Sequence, residues 1–446
     1  MAGPQASDLN SHYRRLEAAW TVSDRSESYG RLVVPNGNSS EPFHRWFHLK
    51  EAYSSQLLDQ LFTDSSFKPT AGFRLYDPYS GSGTTLISAV DIAGRYMTSV
   101  EVYGVERNPF LWELSRAKLA GRLHGQSLVA GLEAALAEIK SHSLEFDADD
   151  LEMPAQSTLR NEVYFPRSHV EELVAIRKII DRAAIEPCRS ILRVCLAACV
   201  EPSGRLRRDG RALRFMERRK PRRPLEVFEE RLRLVTADLS SSASLEAQGD
   251  VFFGDGRHLP GLSADGTFDW IVFSPPYPNN IDYTEIYKTE SWILGCYSTS
   301  EDMRKQRLST VRSHPSLRFN QGNLYESATY ADAIDAIVQP VVAAVPADKY
   351  AVGRKEMIPG YVDDMIQTLA VCRSLVAEDG TLAYIVGNSA HGNDDQAFVI
   401  AADVLIGAVA EQVGWRVAEV RVARKLTRRR ANSPYLRESV VILKPQ

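Results

Sequence analysis

The sequence predicts an α/β fold, a mostly parallel sheet covered by helices on both faces and interrupted by a helical insertion. Three observations predict it. From residue 73, strand-length apolar runs alternate with helical-period segments: "FRLYDPY", "TTLISAVDIAG", "SVEVYGVE". Between about 125 and 245 only the helical period persists. Strand and turn signals then resume at "DVFFGDGRHL" and "FDWIVFSPPY". Hydrophobic strands alternating with helices imply burial on both sheet faces. No internal repeat is visible.

Residues 1–40 are polar, with "VVPNGNSS" as a turn or loop. Order begins in "PFHRWFHLKEAYSSQLLDQLF", where Ser54 or Ser55 is placed to cap a short helix with Leu57, Leu58, Leu61 and Phe62 on its apolar face. Residues 41–124 form the first part of the α/β unit. In it Gly94 closes the first helix, and Asn108 and Pro109 open the second as N-cap and first helical residue. The insertion at 125–245 carries helices at "GLEAALAEIKSHSLEF", "RSHVEELVAIRKIIDRAAI", "SILRVCLAACVEPS" and "PLEVFEERLRLVTADL". Residues 246–446 complete the unit, with a smaller insertion at about 297–350. There "YVDDMIQTLAVCRSLVAEDGTLAYIVGNS" predicts helix, turn and strand, "FVIAADVLIGAVAEQVGW" a helix, and "ESVVILKP" a final strand.

Composition sets outer bounds. The chain has 446 residues, 44% hydrophobic and 25% charged, and no apolar run approaching the ~18 residues of a membrane span. The N-terminus has acids and no apolar core of a leader, which predicts a soluble, cytoplasmic protein. Cys188, Cys195, Cys199, Cys296 and Cys372 form neither a disulfide framework nor a zinc pattern, and the first three fall on one helix face as small hydrophobes. No metal site is expected. Net charge is −4, but Arg205 to Arg223 holds ten Lys or Arg against Asp209 and Glu217, and "RVARKLTRRRANSPYLRE" forms a second basic cluster.

"DPYSGSGTT" lies at a strand's carboxyl end and opens a helix, with Gly81 and Gly83 allowing a tight turn at the place where open α/β sheets bind ligands. No Gly-Lys-Ser/Thr follows, which argues against a phosphate loop, and Leu86 stands where a dinucleotide fingerprint needs its third glycine. Asp77 adds a carboxylate at the strand tip. Glu106 ends the next strand 23 residues after Gly83, where an acid accepts the ribose hydroxyls of an adenosyl ligand. Asp255 follows a third apolar strand, suited to an adenine amino group or, more plainly, to an Asx turn.

The fourth strand ends in Ser274-Pro275-Pro276-Tyr277. Two prolines stiffen this tetrapeptide and leave its carbonyls free to accept. A base amino nitrogen is a poor nucleophile because its lone pair is delocalised into the ring. Methylating it requires acceptors for its two hydrogens, here the Ser274 hydroxyl and the Pro275 carbonyl, and a ring such as Tyr277 to clamp the flipped base.

The pair "DPYSGSGTT" and "SPPY", with Glu106 and Asp255 between them, resembles the S-adenosylmethionine-dependent amino methyltransferases of DNA, which modify cytosine N4 or adenine N6. "FHRWFHLKEAYSSQLL" looks like that family's N-terminal cofactor-proximal motif, and "RVARKLTRRRANSPYLRESVVILKP" like its C-terminal hairpin; together these cover about half of the chain. The long insertion departs from the pattern. The resemblance implies a Rossmann-like fold and S-adenosyl-L-methionine held by Asp77, Gly81, Gly83, Glu106 and Asp255, with Pro78, Thr84, Arg107, Gly256 and Ser274 beside them. It places Ser274, Pro275, Pro276 and Tyr277 at the target base. Because Ser-Pro-Pro-Tyr members mostly modify cytosine N4, that base is expected.

Double-stranded DNA is the expected partner, with Arg205, Arg207, Arg208, Arg211, Arg214, Arg428, Arg429 and Arg430 contacting phosphates or bases. A cognate restriction nuclease stays open as a partner, and the chain carries no nuclease motif. Three other readings stay open: adenine N6, an exocyclic amine of RNA, and a noncatalytic DNA-binding subunit of the same fold.

Overall fold

The computed structural model describes residues 4–142, 157–209, 212–243, 245–261, 266–319, 324–325, 331–392, 397–427 and 433–446. Its strands are β1 (Val22–Asp24), β2 (Phe73–Asp77), β3 (Val100–Glu106), β4 (Leu206–Asp209), β5 (Ala212–Phe215), β6 (Ala247–Phe253), β7 (Phe268–Phe273), β8 (Val376–Gly387), β9 (Ser389–His391), β10 (Phe398–Ile400), β11 (Trp415–Lys425) and β12 (Arg437–Pro445). Among the described residues eight of them form one sheet, in the order β1-β11-β12-β8-β7-β2-β3-β6. The run from β8 to β6 is parallel throughout, and β12 is antiparallel to both β8 and β11. This is a Rossmann-like α/β fold.

β7 shows why the strands read as continuous apolar runs. Phe268, Ile271 and Phe273 pack into the core on one face, while Trp270 and Val272 pack into the core on the other. The first face is covered by helices Ala351–Leu375 and Ala402–Ala410, the second by Leu57–Asp64 and Thr84–Tyr96. A third core joins the helices Pro109–His124, Val129–His142, Arg167–Ala183, Cys188–Val200 and Pro224–Ser240. Cys195 and Cys199 lie inside it at 1% and 0% exposure, packed as small hydrophobes rather than ligands.

Chain order reverses at β2, which has β3 on one side and β7 on the other. Ligands of open α/β sheets bind in the crevice outside the carboxyl ends of the strands at such a switch point. Since β6, β3, β2 and β7 are mutually parallel, their carboxyl ends, and hence Asp255, Glu106, Asp77 and Ser274, share one edge.

Several sequence expectations are corrected. The first 40 residues are not merely a polar segment. Helix Pro4–Leu16 buries Leu9, His12 and Tyr13, a spacing of three and four residues masked by the polar remainder, and the Tyr13 hydroxyl donates to Val399 O at 2.8 Å. β1 then pairs in parallel with β11 at the sheet edge. The helix carrying Leu57, Leu58, Leu61 and Phe62 has Gln56 at its N-cap without a side-chain bond, so neither Ser54 nor Ser55 caps it. Gly94 does not close its helix, which runs to Tyr96 and ends on Met97 in the left-handed region (φ 53°). Phe398–Ile400 pairs with β9 as a strand instead of joining the helix that follows. The Arg-rich stretch opens with an antiparallel hairpin, β4–β5.

Candidate active site

The shared carboxyl edge opens into a cavity of ≈ 490 Å³. Asp77, Pro78, Gly81, Thr84, Glu106, Arg107, Asp255, Gly256, Ser274, Pro275, Pro276 and Tyr277 all line it. Leu49, Lys50, Glu51 and Tyr53 from the "FHRWFHLKEAY" stretch line it as well. Gly83 does not reach the cavity. It caps the helix Thr84–Tyr96 at φ 77°, and a Cβ there would lie 3.2 Å from Ser115 Cα, so the glycine permits close packing of two helices.

Each acid is held by hydrogen bonds that fix it at its strand tip. Asp77, 2% exposed, accepts from Tyr79 N at 2.9 Å and Thr85 Oγ1 at 2.5 Å. Thr85 is held in turn by the Tyr53 hydroxyl. Burial raises the Asp77 carboxyl to about 7, with the Glu106 charge adding to the rise and those two bonds opposing it. Glu106 accepts from Gly81 N and Asn108 N, both at 2.8 Å, one on each oxygen. Burial raises its pKa too, against the pull of the backbone N–H groups. The Arg107 backbone N–H also acts on this carboxylate, and its remaining acceptor capacity is open to a ligand hydroxyl.

Asp255 is treated differently. Burial would raise it, but Arg257 outweighs burial and holds it below the usual carboxylate range. The guanidinium donates to both Asp255 oxygens at 2.9 and 2.6 Å and to Asp364 at 2.7 Å. Asp364 is bound by Arg312, which also pairs with Asp363. Asp255 is therefore seated in a charge network anchored on the long helix Ala351–Leu375.

The opposite side of the cavity carries the tetrapeptide. The Ser274 hydroxyl donates to Ile385 O at 3.0 Å and stands 3.3 Å from the Tyr277 oxygen. With its single proton committed, the hydroxyl has only acceptor capacity to offer a ligand. Tyr277 donates to Glu438 Oε1 at 2.9 Å, and Arg424 pairs with Glu438 Oε2 at 2.6 Å. Burial and the Glu438 charge push the phenol well above its ordinary pKa, keeping it neutral. Glu438, 3% exposed, and Arg424 also line the cavity, yet neither was singled out from sequence. The signal was an acid at the head of the final strand "ESVVILKP". Asn279 and Tyr283, hydrogen-bonded to each other at 3.1 Å, extend the same wall.

The predicted arginines part company. Arg207 and Arg214 are exposed. Arg205 donates to Val163 O at 3.1 Å from a half-buried position. Arg208 is corrected: it pairs with buried Glu290 and packs over the rings of Tyr287 and Phe47 at 4.9 and 5.2 Å, so it holds the fold and is not a surface contact. Arg211, Arg428, Arg429 and Arg430 lie outside the described residues. Among the described residues no His/Cys/Asp/Glu cluster suits a metal, and no helix is long and apolar enough to cross a membrane.

No family model matches the chain. Among curated proteins it is similar to the Type II methyltransferase M.AvaI of Nostoc sp. (strain PCC 7120), 22% identical over 435 residues that cover 89% of this chain and 84% of that one. It is also similar to the Type II methyltransferase M.BsoBI of Geobacillus stearothermophilus, 21% identical over 464 residues, covering 92% and 86%. Among solved structures it matches the rRNA methyltransferase aviRa from Streptomyces viridochromogenes, 12% identical with 88% and 85% covered, at a TM-score of 0.28 on which no argument rests. Methyltransferase relatives imply S-adenosyl-L-methionine as the methyl donor. The donor set fits it: a cavity lined by five carboxylates, Glu51, Asp77, Glu106, Asp255 and Glu438, of which burial raises Asp77 and Glu106, suits a ligand that brings a sulfonium, an ammonium and ribose hydroxyls.

Proposed function

We propose that this protein transfers the methyl group of S-adenosyl-L-methionine to an exocyclic amine of a base in double-stranded DNA, cytosine N4 in particular. The observation that carries the reading is that three strand-tip acids and Ser274-Pro275-Pro276-Tyr277 line one cavity, although up to 200 residues separate them in sequence. The similarity to two Type II methyltransferases over most of the chain supports it, as does the resemblance of the motifs to the DNA amino methyltransferases.

In this reading Glu106 accepts the ribose hydroxyls, Asp255 the adenine amino group, and Asp77 and the Gly81 turn hold the remainder of the donor. S-adenosyl-L-methionine supplies an electrophilic methyl carbon. The chain's own residues orient the nucleophile: Ser274 Oγ and the Pro275 carbonyl accept the two amino hydrogens, which lets the nitrogen pyramidalise toward the methyl. Tyr277, its phenol fixed by Glu438, stacks on the base after it leaves the duplex. A neutral serine is a weak base, so the surplus proton goes to water after transfer, and catalysis is chiefly alignment of nitrogen, carbon and sulfur. Serine at 274 favours cytosine because the Ser-Pro-Pro-Tyr members of the resembling family mostly modify N4.

The test is transfer of label from methyl-labelled S-adenosyl-L-methionine to duplex DNA and, in parallel, to structured RNA. Label in DNA supports the reading. Label confined to RNA overturns it, and binding of the donor without transfer to either makes the protein a noncatalytic subunit.

A further inference from the structure

The hairpin β4–β5 has two unlike faces. Register fixes which residues share a face. Arg208 stands opposite Leu213 and Leu206 opposite Phe215, while Arg207 stands directly opposite Arg214. Of the first set Leu206, 4% exposed, and Arg208, on Phe47 and Tyr287, turn inward; Leu213 is half-buried, and Phe215, 41% exposed, lies at the rim beside Tyr164. The alternation of a strand then puts Arg207 and Arg214 on the outer face. Both are exposed, and among the described residues Asp209, itself 61% exposed, lies 3.5 Å from the Arg214 guanidinium.

Like charges directly opposite each other in an antiparallel pair destabilise the pairing. The hairpin is seated through Leu206 and Arg208, on the face opposite Arg207 and Arg214. A polyanion laid on the outer face turns the repulsion into attraction. The hairpin is also placed beside the reaction: Lys50, which lines the cavity, donates to Arg208 O at 2.8 Å, and Tyr287 beneath the hairpin follows the Ser-Pro-Pro-Tyr turn in the same chain segment.

We propose, building on the function above, that β4–β5 enters the major groove next to the flipped base, with Arg207 and Arg214 reading base edges. A two-stranded ribbon fits the B-form major groove, and Arg pairs bidentately with guanine O6 and N7. The deep, narrow major groove of A-form RNA does not admit such a ribbon.

The test uses the full chain, plasmid fragments that the wild type methylates, and dimethyl sulfate, which attacks guanine N7 in the major groove. The wild type is expected to protect guanines near the methylated base. The double variant Arg207→Ala with Arg214→Ala is expected to bind S-adenosyl-L-methionine as before, to lose that protection, and to bind DNA about tenfold more weakly or worse. Arg207→Lys with Arg214→Lys should recover part of the affinity but not the protection. Unchanged protection in the alanine variant overturns the assignment. So does loss of affinity with no guanine N7 protected by the wild type, which places both arginines on phosphates. If the wild type methylates no duplex DNA, the function proposed above falls as well; if it does and only the variant behaves unexpectedly, the hairpin assignment alone falls.

Discussion

Tyr277 and Glu438 are joined by a hydrogen bond of 2.9 Å across 161 residues of sequence. Glu438 is nearly sealed from solvent on β12, and its other oxygen is bound by Arg424 of β11. The ring expected to stack on the target base is thus held by the C-terminal hairpin, outside the motif that contains it. Glu438→Gln keeps the shape and a bond to the phenol but loses the charge that Arg424 pairs with, whereas Glu438→Ala frees the ring. The expected result is a fall in kcat of about tenfold to a hundredfold for Glu438→Ala, a smaller one for Glu438→Gln, and an unchanged Kd for S-adenosyl-L-methionine by calorimetry. A loss of donor affinity equal to the loss of rate would contradict this division.

Ser274→Ala removes an acceptor whose proton is already committed to Ile385 O. It should lower kcat by roughly 100-fold, the cost of one hydrogen-bond partner used in the transition state, and leave donor affinity unchanged. Asp255→Asn should do the reverse, weakening the donor Kd while leaving kcat at saturation within a few-fold. Rapid-quench transfer and calorimetry on both variants separate the two roles.

Asp77 gives a pH signature. Burial raises its carboxyl from 3.8 to about 7 in the folded protein. Between those values the folded state holds a proton that the unfolded state has lost, so stability falls as pH rises through this window. Asp77 is therefore expected to contribute more to the stability of the ligand-free protein at pH 5 than at pH 8, and so to raise Tm at pH 5 relative to pH 8. Asp77→Asn, which has no carboxyl to ionise, should flatten the difference. Thermal scans of both proteins at the two pH values check this, and an equal pH slope in wild type and variant would rule it out.

Arg208 and Arg214 lie six residues apart in one hairpin and should behave oppositely. Arg208→Ala strands Glu290, which is 0% exposed, and is expected to cost about 3–5 kcal/mol of stability, as removal of one partner from a buried pair does. Arg214→Ala on the exposed face should change stability by less than about 0.5 kcal/mol. Urea unfolding of the two variants measures both.

These contrasts show what the sequence could disclose. Strand tips were legible because β2, β3, β6 and β7 each end at a local turn signal, after an apolar run in β7 and the apolar tail "VFF" in β6, and parallel pairing brings their ends to one edge. The acids and the Ser-Pro-Pro-Tyr turn follow from that arrangement. Arg208 was not separable from Arg207, because only contacts with Phe47 and Tyr287, far away in the chain, make one structural and leave the other exposed. Glu438 was hidden for the same reason: its partner Tyr277 is brought to it by sheet order, which no local pattern encodes. Tyr13 was missed because three buried side chains on a helix of otherwise polar residues resemble a solvated segment.

The most direct measurement is nucleoside analysis by mass spectrometry of duplex DNA after incubation with the protein and S-adenosyl-L-methionine. The account predicts N4-methylcytosine, formed roughly 100-fold more slowly when Ser274→Ala replaces the wild type at the same protein concentration. N6-methyladenine in its place would contradict the base assignment. DNA free of any methylated exocyclic amine, with the donor bound, would contradict the account as a whole.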